Sequence, residues 1–122
     1  MTTLDLNDEQ LTVISKACEL FARIHMGQLE EVAWLFSSLS EERYQELTET
    51  LKELNTLITQ MPKQAHFGIR SEQVPQIAKS AYDIHQVIQH HLAWKQNPQG
   101  GVGGNFDSPV QYSTIPLPTI SD

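Results

Sequence analysis

Apolar residues recur every three or four positions in three stretches of the chain, the spacing of amphipathic helices. The first stretch begins after Asn7, which forms capping-box spacing with Gln10. Its apolar stripe comprises Leu11, Ile14, Cys18 and Phe21, widened by Val13, Ala17, Leu20 and Ile24. Because glycine interrupts a helix, we expect a break or bend near Met26-Gly27. The pattern then resumes from Leu29 to Phe36.

The second stretch has the more regular repeat. Ser38 and Glu41 stand at capping-box spacing and predict a second helix start, and Pro62 ends the pattern. The apolar positions alternate by three and four: Tyr44, Leu47, Leu51, Leu54, Ile58 and Met61. This seam of about two and a half heptads is too short for a free coiled coil. We therefore expect it to pack within a bundle or against a second copy.

The third stretch follows a loop over residues 62–73. Pro75 fits the first turn of a helix, with Ser71 or Gln73 near the cap. The helix runs to about Lys95, before Pro98 and a run of glycines stop it. Its apolar stripe is Ile77, Ala81, Ile84, Ile88 and Leu92.

Residues 97–122 differ in composition, since glycines and prolines are frequent and the apolar residues are scattered. Pro109, Pro116 and Pro118 oppose a helix there. We expect an extended arm that packs over its own bundle or over a neighbouring subunit, through Phe106, Tyr112, Ile115 and Leu117. The sequence thus predicts an all-α fold, a small helical bundle over residues 1–96 with an extended Gly- and Pro-containing C-terminal arm over residues 97–122.

Charge and composition narrow the classes of partner. The 122 residues carry a formal net charge of −7, which argues against a general nucleic-acid binder. Residues 1–61 hold most of the acids, whereas residues 62–95 are mildly basic and contain four of the five histidines. No stretch is apolar enough to span a membrane and no signal peptide is evident. We expect a cytoplasmic protein without a direct nucleic-acid or membrane partner.

Sequence patterns of enzymes and metal sites are weak here. His85, His90 and His91 are separated by five and one, whereas helical metal pairs need three or four. Cys18 lies on an apolar stripe, and neither a nucleophile elbow nor a phosphate loop occurs. We therefore predict no catalytic residue, no metal and no cofactor.

The basic segment 62–95 offers the donors that an anionic ligand needs in exchange for water. Arg70 is the expected main phosphate contact, because its planar fork binds two oxygens at once. Lys79, His90 and Lys95 would assist, and Tyr82 or Trp94 would stack on a base.

Two stretches carry a resemblance: residues 19–32, ELFARIHMGQLEEV, and residues 81–94, AYDIHQVIQHHLAW, with NPQGG and FDSP after them. With GIRS at 68–71, they make most of residues 10–110 similar to small proteins of phages and prophages, a family without assigned chemistry. By analogy with other small phage proteins, the resemblance implies a counter-defence role in the bacterial host. One class of these is a sponge-like oligomer that sequesters a nucleotide immune signal.

The residues and the resemblance together suggest three alternative functions. The leading one is a non-enzymatic counter-defence protein that binds a small anionic, nucleotide-like ligand. The second is an acidic interaction protein whose face over residues 41–53 blocks a basic host defence protein, and the third is a His-dependent hydrolase. We also expect a homodimer or higher assembly, formed through Leu47, Leu51, Leu54 and Ile58 or through the helix over residues 77–92.

Overall fold

The computed structural model describes residues 1–122 and contains three α-helices and no strands. Helix α1 spans Asp8–His25, α2 spans Glu41–Thr59 and α3 spans Gln76–Gln96. Short 3-10 helices occupy Leu29–Leu35 and Gly104–Phe106. The predicted all-α fold, a helical bundle with an extended arm, is confirmed.

The two ends of α1 follow directly from local sequence. The Asn7 side chain accepts a hydrogen bond from the Gln10 backbone N–H at 2.8 Å, and the Gln10 side chain accepts one from the Asn7 N–H at 2.9 Å. This reciprocal box satisfies two of the N–H groups that a helix start leaves unpaired. At the other end Gly27 adopts φ +82°, a left-handed conformation that ends α1 and confirms the predicted break.

Helices α1 and α3 form an antiparallel pair. Lys95 near the end of α3 reaches Asp8 at the start of α1, 2.9 Å away, and Met26 after the end of α1 packs on Val74 and Ala78. Ala22 of α1 and Ala78 of α3 are fully buried between the helices. Small residues at these positions let the two backbones approach closely.

Helix α2 packs against the Leu29–Leu35 3-10 helix instead of against α1 or α3. Its buried positions are polar: Asn55 accepts a hydrogen bond from the Leu29 N–H at 2.8 Å, and Thr59 bonds within the last turn of the helix. The predicted cap at Ser38 is wrong, since Ser40 directly precedes the helix and its hydroxyl accepts from the Arg43 N–H.

The arm lies along α3. After the helix ends, Asn105 and Phe106 contact its last turns, Val110 contacts Gln86, and Thr114 reaches Gln76 at its first turn. The chain then returns, so that Asp122 lies 3.7 Å from the Lys95 ammonium. Helix α1 therefore covers one side of α3, and the arm covers another side of it.

Candidate functional site

A polar cleft opens between α1, α3 and the start of the arm. It consists of two cavities of about 500 and 430 Å³ that share Thr12, Gln89 and Asn105 as lining residues. Each volume falls in the range of pockets that take small molecules. The remaining lining residues are Ser15, Lys16, Glu19, His85, Leu92, Ala93, Gln96, Asn97, Val102, Gly103, Gly104 and Phe106.

Helical spacing aligns the cleft residues. Thr12, Lys16 and Glu19 recur every three or four positions on α1, so they share one face of that helix. Gln89 and Gln96 stand seven positions apart on α3 and share a face in the same way. The arm closes the third side through its glycine-containing start.

Two glycines shape this start of the arm. Gly103 adopts φ +124°, a conformation that L side chains rarely adopt. A Cβ on Gly101 would lie only 2.8 Å from the Phe106 ring, so the glycine lets this ring pack against the backbone. The ring in turn meets Trp94 edge-on with centroids 5.6 Å apart, which fixes the wall of the cleft against α3.

A buried network forms the floor of the cleft. The Ser15 hydroxyl lies 2.7 Å from Nδ1 of His85 and accepts a hydrogen bond from the Gln89 amide at 2.9 Å. On the other side of the ring, Nε2 of His85 lies 3.5 Å from the Glu19 carboxylate. The two contacts of Ser15 join residues that are 70 and 74 positions apart in the chain.

Burial favours the neutral form of the His85 imidazole. Burial lowers the pKa of His85, and this effect outweighs the opposing attraction of Glu19. Nδ1 of His85 and the Ser15 hydroxyl share a hydrogen bond whose direction depends on the tautomer of the ring, and Nε2 faces the Glu19 carboxylate.

Serine, histidine and a carboxylate in this order have the composition of a hydrolase triad. However, Ser15 is fully buried, and its hydroxyl both shares a hydrogen bond with Nδ1 of His85 and accepts one from Gln89. The hydroxyl therefore already has its hydrogen bonds at the helix crossing, and the network holds α1 to α3. The sequence held only an indirect signal for this network: Ser15 and Glu19 on α1, and His85 and Gln89 on α3, each stand four positions apart on one face.

The predicted ligand residues near the end of α3 contact the arm. Nδ1 of His90 lies 2.9 Å from the Asn105 carbonyl, and the Trp94 indole donates to the Phe106 carbonyl at 3.1 Å. Lys95 pairs with Asp8, and this hydrogen bond raises the pKa of the Lys95 ammonium.

The other three predicted ligand residues lie near the start of α3. The Arg70 guanidinium stacks over the Tyr112 ring at 4.8 Å, and Tyr82 meets the same ring edge-on. Lys79 is buried. A helix of 21 residues is about 30 Å long, so the six predicted residues are spread from the loop before α3 to the end of that helix, and none lines the cleft.

Asp83 is a further polar residue whose role was not predicted from the sequence. It is 1% exposed and accepts three hydrogen bonds from the arm: from the Tyr112 N–H at 2.8 Å, from the Ser113 N–H at 3.1 Å and from the Ser113 hydroxyl at 2.7 Å. A buried carboxylate needs such donors in place of water. Asp83 is therefore the main polar anchor of the arm.

The remaining reactive groups do not form a further centre. Cys18 is half-buried, and burial raises the pKa of its thiol, so the thiol is protonated at neutral pH. No three His, Cys, Asp or Glu side chains are arranged to hold a metal ion. None of the helices combines the length and the apolar content needed to cross a membrane.

Comparison with known proteins finds no matching family model, curated protein or solved structure. The resemblance to phage proteins therefore stays a prediction.

Proposed function

We propose that this chain is a non-enzymatic binding protein that holds a small, polar, nucleotide-like molecule in the cleft between α1, α3 and the arm. The observation that carries the proposal is the lining of the cleft, which contains the amide side chains Gln89, Gln96, Asn97 and Asn105. Primary amides both donate and accept hydrogen bonds, as the edge of a nucleobase does.

The chemistry of the lining divides the ligand into two parts. The Phe106 ring and the amides suit a flat, hydrogen-bonding group, while Lys16 supplies a positive charge on α1 for an anionic group. The binding of a phosphate is assigned to Lys16 instead of Arg70, because Arg70 does not line the cleft. The role in phage counter-defence rests on the resemblance of residues 19–32 and 81–94 alone.

The test is an occluding substitution with a matched control. A Cβ on Gly104, which lines the cleft, meets no atom within 4 Å, and the same is true of Gly68 in the loop before α3. Gly104→Phe takes up part of the cleft, and Gly68→Phe adds the same ring elsewhere. Both variants, with Arg70→Ala, are compared with the wild type by thermal shift and native mass spectrometry against mononucleotides and cyclic dinucleotides.

We expect wild type, Gly68→Phe and Arg70→Ala to bind and Gly104→Phe to lose at least tenfold in affinity. Binding that survives in Gly104→Phe but disappears in Arg70→Ala would put the ligand at the site predicted from the sequence. Failure of the wild type to bind any of these nucleotides would remove the nucleotide class.

A second candidate, a serine hydrolase, is favoured by the 2.7 Å contact between the Ser15 hydroxyl and His85. A fluorophosphonate reagent labels activated serines covalently. Labelling of the wild type that is absent in Ser15→Ala would support the hydrolase over the binding protein. We expect no labelling, because the Ser15 side chain is buried.

A further inference from the structure

Helix α2 and the 3-10 helix before it share an exposed apolar surface, which we call the α2 face. It comprises Trp34, Phe36, Tyr44, Leu54, Leu57 and Ile58. Trp34 is 58% exposed, Phe36 47% and Leu57 79%. These are the residue types that normally form cores, so the α2 face is unusual for a surface in contact with water.

The area of the α2 face lies between that of an ordinary surface patch and that of an interface. Its six side chains expose on the order of 600 Å² of mostly apolar surface, judged from the size of aromatic and branched side chains. This is the upper end of what isolated monomers tolerate, and it approaches the roughly 800 Å² that each partner contributes to a stable pair.

No other part of the chain is available to cover it. The arm is bound along α3 through Asp83, and α1 packs on α3 and on one side of the 3-10 helix, which leaves Trp34 58% exposed and α2 uncovered. Helix α3, the other surface predicted for self-association, is covered on two sides by α1 and the arm. The α2 face is therefore the surface left for a partner.

The pattern of α2 suits a second copy of this chain. Its apolar positions alternate by three and four, and identical helices with this repeat interlock knobs into holes. Glu42 and Glu49 lie on the side of the helix opposite Leu54 and Ile58, whereas Glu46 and Glu53 flank Leu57 on its own side. The match to a second copy therefore rests on the apolar repeat and on the exposed area.

We infer that two copies pair antiparallel through α2, with Leu57 of each copy seated in an aromatic groove of the other. The groove, of about 500 Å³, is lined by Trp34, Phe36, Leu39 and Tyr44 at the start of α2, with Ser37 and Glu41. An antiparallel pair centred near Leu51 places position 57 of one helix opposite position 44 of the other. This dimer is independent of the proposed ligand cleft.

The experiment compares sedimentation of the full chain with two variants at an exposed apolar position. Leu57→Glu puts a carboxylate in the α2 face, and Val13→Glu puts one on α1, where the side chain is 67% exposed. Both positions are exposed, so the folded chain tolerates either charge, and circular dichroism checks the helix content. Trp34→Ala empties the other half of the proposed contact.

At micromolar concentration the wild type and Val13→Glu sediment at twice the 13.8 kDa chain mass. Leu57→Glu and Trp34→Ala each raise the dimer dissociation constant at least tenfold. A wild type that stays monomeric, or a Leu57→Glu variant that stays dimeric, overturns the inference. A monomeric wild type that instead binds a basic amphipathic peptide would assign the α2 face to a foreign partner and would also overturn it.

Discussion

Helices α2 and α3 have similar lengths and similar apolar repeats, but their surroundings differ. Helix α3 contacts α1 and the arm, and it buries even the polar side chains Lys79 and Asp83. Helix α2 contacts the 3-10 helix, buries Asn55 and exposes Leu57.

The difference shows that burial here follows the available neighbours more than hydropathy. Asp83 and Asn55 are buried because each receives hydrogen bonds from a segment that crosses its helix. Leu57 is exposed because no segment of its own chain covers that side of α2. Buried polar residues thus connect the segments of the chain, while apolar residues such as Leu57 stay exposed.

The largest effect is expected from releasing the arm from α3. Asp83→Ala leaves the Tyr112 and Ser113 N–H groups without their acceptor, so we expect a loss of about 3 kcal/mol in unfolding free energy. For a domain of this size, that is a drop of roughly 10 °C in melting temperature. Calorimetry measures this, and limited proteolysis reports whether residues 105–122 become accessible.

Asp83→Asn is the matched control, because it keeps an acceptor oxygen and should lose less. Deleting residues 105–122 should likewise lower the melting temperature. If the deletion leaves the melting temperature unchanged, the arm does not stabilise α3. The covering of α3 by the arm would then not distinguish this helix from α2.

The junction between α1 and α2 should be next in sensitivity. A Cβ on Gly27 would clash with the Thr59 methyl group, and φ at Gly27 is +82°. We expect Gly27→Ala to cost about 2 kcal/mol in unfolding free energy, measured by urea denaturation. Thr59→Ser removes the methyl group but keeps the hydroxyl, so it should restore part of the loss. An absence of rescue would mean that backbone strain alone is responsible.

Two leucines of α2 separate stability of the chain from assembly. Leu51 is half-buried, whereas Leu54 is 43% exposed. At a protein concentration low enough to keep the chain monomeric, we expect Leu51→Asp to lower the unfolding free energy by about 1–2 kcal/mol. The same measurement should show a loss of less than about 0.5 kcal/mol for Leu54→Asp. Both should weaken self-association. Equal losses in urea denaturation would show that α2 is buried more evenly than the structure indicates.

The smallest effect concerns the pH dependence of the α1–α3 contact. Because the pKa of His85 is lower in the folded chain, the unfolded chain binds the proton more readily. Stability should therefore be unaffected above the unfolded pKa of about 6.5 and should fall as the pH drops below it. Urea midpoints at neutral and mildly acidic pH measure this. His85→Gln should flatten the dependence between them, and an unchanged slope would assign it to another group.

Features that depend on residues close together in the sequence could be predicted from it, and features that depend on distant residues could not. The Asn7–Gln10 box, the break at Gly27 and the extended arm were predictable because each depends on residues a few positions apart. The start of α2 was misplaced by two residues, because Ser38 and Ser40 are both good caps and only the path from the 3-10 helix selects Ser40.

For the candidate site, the basic segment drew attention to α3, but the cleft lies on the side that faces α1. The pairing of Ser15 with His85 spans 70 positions, and that of Asp83 with Ser113 spans 30. A helical repeat indicates which residues share a face but not which element will face them. The use of His90 and Trp94 to hold the arm was unpredictable for the same reason.

The sequence by itself determined three amphipathic helices, their approximate ends and a proline-containing arm, since backbone capping, glycine conformation and helical periodicity are local. The tertiary structure decided which sides of those helices are covered. Segments that pack against each other bring distant residues together, and the hydrogen bonds between them compensate the burial of Ser15, Asn55 and Asp83. The same geometry leaves the α2 face uncovered, although its repeat is the most regular in the chain.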